Sequence, residues 1–296
     1  MPHTAVRAVL GLAVVGSLGW GQPRQSREAT VLLRYALQPG TQWTYELSYR
    51  YEEVRHSAVT GSEGRPVATI WHAPLHYTLL SATRDTFVLR EVVDSLVTSV
   101  VVEGARYTDT IASPRGVEIT HTLTLHGGPV SATSNVRDSL LWRWLGFEEG
   151  GRSVLINRRR WPSWFFSYPA QAIPVGHTWS EVWRDSIQRE DEQTVWSANV
   201  RHTLEAVVDT LGHRCARIRS EIDSLKLSSK ARTDFGDDFS MELSGRGVAL
   251  TYVQLSNGLP LAQQESLDVE GGFVVSGQVE VFETFEERTR IQLRRR

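Results

Sequence analysis

The chain repeats a set of short landmarks in the same order in its two halves. A Pro and a Gly followed by Trp come first, then Asp-Ser-Leu, then Ser-x-Arg-Gly-Val, and then Gly-x-Pro. The paired copies occupy residues 39–43 and 174–179, 94–96 and 223–225, 113–120 and 244–251, and 127–129 and 258–260. Because four landmarks recur in one order, the simplest interpretation is a duplicated structural unit. Duplication constrains the fold, since each copy must form a similar set of elements.

Both copies have the patterns of β-strands. Near the C-terminus Val279, Val281, Phe285, Ile291 and Leu293 share one parity of the chain. Polar residues fill the other parity, with Phe282 as the single apolar exception. This alternation predicts one long strand, or a bent pair, with one buried and one solvated face. Similar runs recur along the chain, separated by turn signals and without alternating helices. We therefore predict a mainly β, antiparallel fold built from two related curved-sheet, half-barrel-like halves.

The segment between the two copies has a different composition. Residues 136–145 predict a short helix, capped by Ser134 and Asn135. Residues 158–169 are the most aromatic stretch of the chain and are too apolar for a free linker, so we expect them to plug a sheet or to bridge the copies. The predicted organisation is a first β repeat at 22–133, a helix and aromatic connector at 134–172, and a second β repeat at 173–296. Whether the repeats form separate domains or one sheet stays open.

Residues 1–21 have the features of a secretion signal. Arg7 supplies a positive charge, residues 8–18 are apolar or small, and Gly19 and Gly21 precede a cleavage site at Gln22. The apolar stretch is too short to remain as a membrane-spanning helix, and no later segment is apolar for long enough to be one. We therefore expect a cleaved signal peptide, a periplasmic or secreted protein, and no membrane span.

Composition excludes several classes of protein. A formal net charge of −2 gives no electrostatic reason to expect a nucleic-acid partner. Cys215 is the only cysteine, so an internal disulfide is impossible, and its alternating surroundings predict a small buried hydrophobe.

Residues 172–179, Ala-Ile-Pro-Val-Gly-His-Thr-Trp, resemble an uncharacterised family of secreted bacterial proteins with a Pro-Val-x-Val-Gly-Asp-x-Trp signature. Members also open the mature chain with a strand ending in Gly-x-x-Trp/Tyr, which residues 38–45 match. The Asp of the signature is His177 here and Thr41 in the first copy, so any role of that Asp is absent. At the level of the fold, the curved antiparallel sheet also resembles the half-barrels of periplasmic lipoprotein carriers.

Candidate catalytic and metal sites are weak. His72 and His76 flank Pro74, and in a strand they would share a face about 13 Å apart, which is too far for two ligands of one metal. The acidic cluster Asp234, Asp237 and Asp238 lacks the spacing of a calcium loop and is better interpreted as a solvated turn. No nucleophile elbow, Ser-x-x-Lys motif or phosphate loop is present. We expect no enzyme activity, no metal and no cofactor.

The aromatic residues carry the functional expectation. Trp43 and Trp179 occupy equivalent places and are predicted to be core anchors of the two copies. The ligand-binding candidates are the aromatic residues of the connector: Trp142, Trp144, Trp161, Trp164, Phe165 and Phe166. They predict a non-enzymatic extracytoplasmic binding or carrier protein for an apolar ligand such as a lipid or acyl chain. The alternative is a structural or protein-interaction module of the cell envelope, with the same aromatics as a dry core and an envelope protein as partner.

Overall fold

The computed structural model describes residues 30–57, 64, 66–102, 105–134, 165, 167–188, 192–232, 236–277 and 281–296. The signal peptide and the helix at 136–145 predicted from the sequence lie outside these residues. The described part of the chain forms the following strands: β1 Thr30–Val31, β2 Gln42–Ser57, β3 Val67–Ala82, β4 Thr86–Val102, β5 Ala105–Thr124, β6 Pro129–Ser134, β7 Ile173–Pro174, β8 Thr178–Gln188, β9 Glu192–Thr210, β10 His213–Arg232, β11 Asp238–Gln254, β12 Pro260–Ser276 and β13 Val281–Arg295.

Eleven of these strands form one antiparallel sheet, in the order β6-β5-β4-β3-β2-β13-β12-β11-β10-β9-β8. Neighbours in the sheet are consecutive in the chain except at one place, where β13 pairs with β2 from Glu283↔Ser57 to Arg295↔Tyr45. We call this ladder the seam, because it joins the strands of the first half to those of the second. The mainly β, antiparallel fold is confirmed, and the two halves share one continuous sheet.

Alternation of side chains divides the sheet into two faces. We define the inner face as the one that carries Tyr45, Leu75, Leu89 and Val253, all of them buried in the largest core cluster. The β3 burial pattern, with buried residues at every second position from Ala73 to Leu79, shows the periodicity expected of a strand with one dry face. The same cluster receives side chains from β2–β5 and from β9, β10, β11 and β13, so the sheet curls around a shared core.

Two irregular segments fill one end of this curled sheet. We call residues 32–38 together with 165 and 167–172 the plug. Within it, Leu33, Tyr35 and Tyr168 are buried. The plug is bonded to turns of both halves, since the Ala36 N–H donates to the Asn257 carbonyl at 3.0 Å and the Tyr168 N–H donates to a carbonyl of the β5–β6 turn at 2.6 Å. The plug therefore closes this end with the chain's own apolar side chains.

The two Pro–Gly landmarks form the same turn. Gly40 and Gly176 both have positive φ, 85° and 90°, a conformation that glycine adopts without a steric penalty. The Gly40 N–H donates to the Leu79 carbonyl on β3 at 2.8 Å, and the Gly176 N–H donates to the Leu204 carbonyl on β9 at 2.7 Å. Each turn is thus fastened to the second long strand of its own half, as a duplicated unit would produce.

The Asp-Ser-Leu landmarks coincide with irregularities in the ladders. The register between β4 and β5 shifts between Val93 and Ser95, and the register between β10 and β11 shifts between Ile222 and Leu225. On β10, from Ala216 onward, the buried residues have even numbers before this point and odd numbers after it. A bulge lets a strand bend, and here it keeps apolar side chains on the inner face of a curving sheet.

Candidate functional site

The inner face beyond the plug forms a second apolar region, which we call the trough. Its floor is aliphatic and aromatic: Ala198, Val200, Ile222, Leu225, Leu227, Leu243, Leu267, Val269 and Phe285. Four larger side chains pack on this floor yet are only partly buried: Trp183, Trp196, Met241 and Phe273. Because these four keep some solvent exposure while the floor does not, they form the accessible part of the trough.

The trough continues the surface on which the plug sits. On β9, Leu204 belongs to the plug core and Val200 to the trough. On β10, Ile218 belongs to the plug core and Ile222 to the trough. The spacing of four residues along each strand means that the two regions are neighbours on one face. The same face therefore binds the chain's own apolar side chains at one end and presents further apolar surface at the other.

Of the aromatic residues predicted to bind ligand, Phe165 belongs to the described part of the chain. It is buried in the plug, with its ring centroid 5.7 Å from that of Tyr35 and 5.7 Å from that of Tyr77. Trp142, Trp144, Trp161, Trp164 and Phe166 lie outside the described residues.

The paired tryptophans both stack on a ring of the neighbouring strand. Trp43 is buried and stacks on Tyr77 with centroids 5.6 Å apart, and Trp179 stacks on His202 with centroids 5.2 Å apart. The register pairs Trp43 with Tyr77 and Trp179 with His202, so the two pairs occupy corresponding positions. This arrangement agrees with the role of core anchors predicted for both residues.

A chain of polar side chains crosses β8, β9 and β10 on the inner face. His202 Nδ1 lies 2.7 Å from Ser220 Oγ, and His202 Nε2 lies 3.2 Å from Glu181 Oε1. Glu181 also accepts a hydrogen bond from the Ser167 N–H at 2.8 Å, which ties the plug to β8. The residue types are those of an acid–base–nucleophile triad.

The setting of this chain favours a structural role over catalysis. Ser220 and His202 are 6% and 1% exposed, so neither presents its reactive atom to solvent. Ser220 lies within the paired part of β10, where the backbone pairs with β9 and β11 and leaves no free N–H groups to stabilise an oxyanion. The Ser220 hydroxyl and the Ser167 N–H instead provide hydrogen-bond partners for His202 Nδ1 and Glu181 Oε1, and His202 Nε2 lies in contact with the Glu181 carboxylate.

A second buried acid–base pair lies in the first half of the sheet. Glu91 on β4 and His121 on β5 are 0% and 2% exposed, and Glu91 Oε2 lies 2.9 Å from His121 Nε2. Both occupy the apolar parity of their strands, between Leu89 and Val93 on one and between Ile119 and Leu123 on the other. The contact gives each of these two buried polar groups a partner, which a polar side chain needs at a buried position.

Glu265 on β12 is a third polar group on the inner face. Its Oε2 accepts a hydrogen bond from Gln263 at 3.0 Å, and Gln263 in turn accepts one from the Thr251 hydroxyl at 3.2 Å. Loss of solvation on burial raises the pKa of Glu265 to about 7, although the bond from Gln263 acts in the opposite direction. The side chain therefore changes charge near neutral pH.

At the seam, Tyr51 lies between two carboxylates. Its hydroxyl oxygen is 2.5 Å from Glu53 Oε2 and 2.7 Å from Glu287 Oε1. Glu53 and Glu287 are directly opposite each other in the ladder between β2 and β13. Burial, and then the neighbouring Glu53, raise the pKa of Glu287 to about 7, against the lowering effect of the Tyr51 hydrogen bond.

Cys215 is buried, as predicted, but on the outer face rather than in the main core. It packs with Ala206, Val208 and Leu261 in a small cluster of its own. Burial, with a smaller contribution from Asp209, raises the pKa of the Cys215 thiol to about 11. The residue is therefore an unreactive packing element.

Neither of the two candidate metal sites weighed in the sequence gains support from the described residues. Within them, no group of three or more His, Cys, Asp or Glu side chains is placed to hold a metal ion. His76 points away from the core and its Nδ1 lies 3.0 Å from the Thr44 hydroxyl. Asp234 lies outside the described residues, while Asp237 is partly buried and Asp238 is exposed, directly after the bend at Gly236.

Sequence reasoning missed the polar residues of the inner face, although the chain contains a signal for them. Glu91, His121 and His202 each occupy a position where the strand alternation requires an apolar residue. A polar residue at an apolar position of a regular strand must find a partner, because burying it alone is costly. Which partner it finds depends on the pairing of the strands.

Comparison with known proteins identifies no relative. No family model matches the chain, and no curated protein matches it. Among solved structures, an outer membrane channel from Pseudomonas putida F1 is 9% identical over 87% of this chain and 97% of that one, with a TM-score of 0.21. An engineered protein with asymmetric conductivity is 10% identical over 85% of this chain and 99% of that one, with a TM-score of 0.20. Scores this low carry no argument about fold or function.

In the part of the chain that the structure describes, no helix is long and apolar enough to cross a bilayer.

Proposed function

We propose that the protein is a non-enzymatic extracytoplasmic binding or carrier protein that holds an apolar molecule, such as a lipid or acyl chain, in the trough. The observation that carries this proposal is the partial burial of Trp183, Trp196, Met241 and Phe273 on a fully apolar floor. Large apolar side chains that converge on one concave face are typical of sites for apolar ligands.

Trp183, Trp196, Met241 and Phe273 form the rim of the trough. Their composition supports a ligand without a rigidly defined shape. Aromatic rings offer broad apolar surfaces, and a methionine side chain adapts to irregular shapes because it is unbranched and polarizable. Trp183 donates its indole N–H to Glu181 Oε2 at 3.1 Å, which orients that ring. A rim with one oriented ring and adaptable neighbours suits an acyl chain better than a rigid polar metabolite.

The plug shows that the inner face can bury apolar groups from a segment that is not a strand of the sheet. Leu33 and Tyr35 come from an irregular segment, and both are almost completely buried against the inner face. Burial of an apolar side chain contributes about 1.5–3 kcal/mol. An acyl chain in the trough would gain the same kind of contact on the same face of the sheet.

The proposal is tested with the secreted form, residues 22–296, purified without detergent. Titration with N-phenyl-1-naphthylamine should give a saturable rise in fluorescence, and palmitate should displace the dye. Trp196→Ala should weaken dye binding by about tenfold, because a loss of about 1.4 kcal/mol corresponds to that factor.

Phe282→Ala is the matched control. Phe282 lies on β13 near the same end of the sheet, but on the outer face, and it is 44% exposed. Its removal should leave dye binding unchanged. Folded, monodisperse protein that binds no dye, or an equal loss in both variants, would contradict the proposal and favour the envelope interaction module instead.

A further inference from the structure

The Glu53–Tyr51–Glu287 array contains more hydrogen bonds than its usual protonation state allows. Two oxygen–oxygen distances, 2.5 Å and 2.7 Å, join the Tyr51 hydroxyl to the two carboxyl groups. Each such contact needs a proton between its oxygens. A tyrosine hydroxyl has one proton to donate, and an ionised carboxylate has none. The second bond therefore requires that one of the two glutamates is a neutral acid.

The surroundings identify the neutral acid as Glu287. Glu53 also accepts a charge-assisted hydrogen bond from Arg55 Nε, so this carboxylate already has a cationic donor in direct contact. Among the described residues Glu287 accepts no hydrogen bond from an arginine, and although the charge of Arg55 lowers its pKa, burial outweighs that effect and raises the pKa to about 7. In the resulting arrangement the Glu287 carboxylic acid donates to the Tyr51 oxygen, and the Tyr51 hydroxyl donates to Glu53.

Few other charges face this array. On β2 the facing charged groups are Glu53 and Arg55, and on β13 Glu283 lies four residues away on the same face. On β12 the residue opposite Glu287 is Val269, and on β3 the residue opposite Glu53 is Val67. No other titratable side chain of these four strands lies opposite the array, so the further charges that act on its protonation are Arg55 and, through Arg55, Glu283.

We infer that one end of the seam is closed by a shared proton. With the proton in place, the array ties β13 to β2 through two short hydrogen bonds. Without it, two carboxylates face each other across the ladder, and like charges directly opposite are destabilising. The ladder from Glu283↔Ser57 to Glu287↔Glu53 then loosens, while the remainder of the seam, which ends at Arg295↔Tyr45, stays paired. This inference does not depend on the proposed ligand.

Amide hydrogen exchange of the secreted chain tests whether the shared proton holds this end of the seam together. Protection factors, which are corrected for the intrinsic effect of pH, are compared at about pH 6 and about pH 8.5. We expect amides of 53–57 and 283–287 to lose about tenfold in protection at the higher pH, because the proton is lost across this range. Amides of 45–49 and 291–295 should not change.

Two variants separate the effect of the shared proton from general effects of charge. Glu287→Gln carries an uncharged amide that can donate to the Tyr51 oxygen, so protection should stay high at both pH values. Glu286→Gln removes an exposed carboxylate from the neighbouring position on the outer face, so the dependence of wild type should remain. Unchanged protection in the wild type, or a full pH dependence in Glu287→Gln, would overturn the inference.

A direct titration covers the case in which Glu287→Gln does not fold. The carboxyl carbon shift of Glu287, followed by NMR in the wild type, should have its midpoint near neutral pH. A midpoint in the ordinary range of glutamate, about 4.3, would overturn the inference.

Discussion

Gly258, in the turn between β11 and β12, holds the plug against the sheet. It has a φ of 74°, and a Cβ added there would lie 2.1 Å from the Arg34 carbonyl oxygen and 3.0 Å from the Tyr35 nitrogen. Its own carbonyl accepts a hydrogen bond from the Tyr168 hydroxyl at 2.9 Å. Both segments of the plug therefore meet at this glycine, and Gly258→Ala should force the backbone of residue 34 away.

The expected cost has two parts. A non-glycine residue in the left-handed region costs about 1 kcal/mol. The Arg34 oxygen must also retreat by about 1 Å or more, since an ordinary contact begins at 3.4 Å. That shift partly removes Leu33 and Tyr35 from their contacts with the core. Burial of each such side chain contributes about 1.5–3 kcal/mol to the free energy of unfolding. We expect Gly258→Ala to lower the free energy of unfolding by about 3–5 kcal/mol in total.

Gly212→Ala provides the matched control. Gly212 also has a positive φ, 76°, but a Cβ added there meets nothing within 4 Å. This variant should lose only the backbone term of about 1 kcal/mol. Urea unfolding followed by tryptophan fluorescence measures both variants against wild type. Equal losses in the two variants would refute the claim that the turn clamps the plug.

Three further predictions concern single side chains. Tyr168→Phe removes the hydrogen bond to the Gly258 carbonyl and should lower the free energy of unfolding by about 1–2 kcal/mol in urea titrations; no change would mean that the bond contributes nothing. Because the folded pKa of Glu265 is raised to about 7, stability should fall by up to about 3 kcal/mol as pH rises from about 4.5 to 7, and Glu265→Gln should reduce that slope. Thermal unfolding across this pH range measures both proteins, and a slope in Glu265→Gln equal to that of wild type would show that Glu265 does not contribute. The Cys215 thiol, with its pKa raised to about 11, should react with a thiol reagent at pH 8 more than about a hundredfold slower in native protein than in urea, and equal rates would contradict its burial.

The strand pattern was predictable because alternation is a local property. The periodicity of Val281, Phe285, Ile291 and Leu293 predicts a long strand, and β13 runs over Val281–Arg295. The turns were predictable for the same reason, since Gly40 and Gly176 adopt a conformation that few other residues tolerate. Which strands lie next to each other was not predictable, because pairing depends on residues far apart in the chain.

The candidate site shows the same division. Phe165 was predicted to be buried on the strength of its aromatic surroundings, and it is buried in the plug. The trough was not predicted, because Trp183, Trp196 and Met241 belong to three different strands and share no local motif. Only the order of strands in the sheet brings these side chains together on one face.

The seam gives the clearest physical reason for this limit. The sequence by itself placed Glu287 within the predicted C-terminal strand, and the period of two puts Tyr51 and Glu53 on one face of any strand that contains both. Tertiary structure alone decided that Glu287, 236 residues from Tyr51, completes the array. A pKa depends on solvation and on neighbouring charges, and both are set by which strand lies alongside. The local sequence pattern therefore specifies the strands, while long-range strand pairing determines the hydrogen-bond partners and the pKa values of their polar residues.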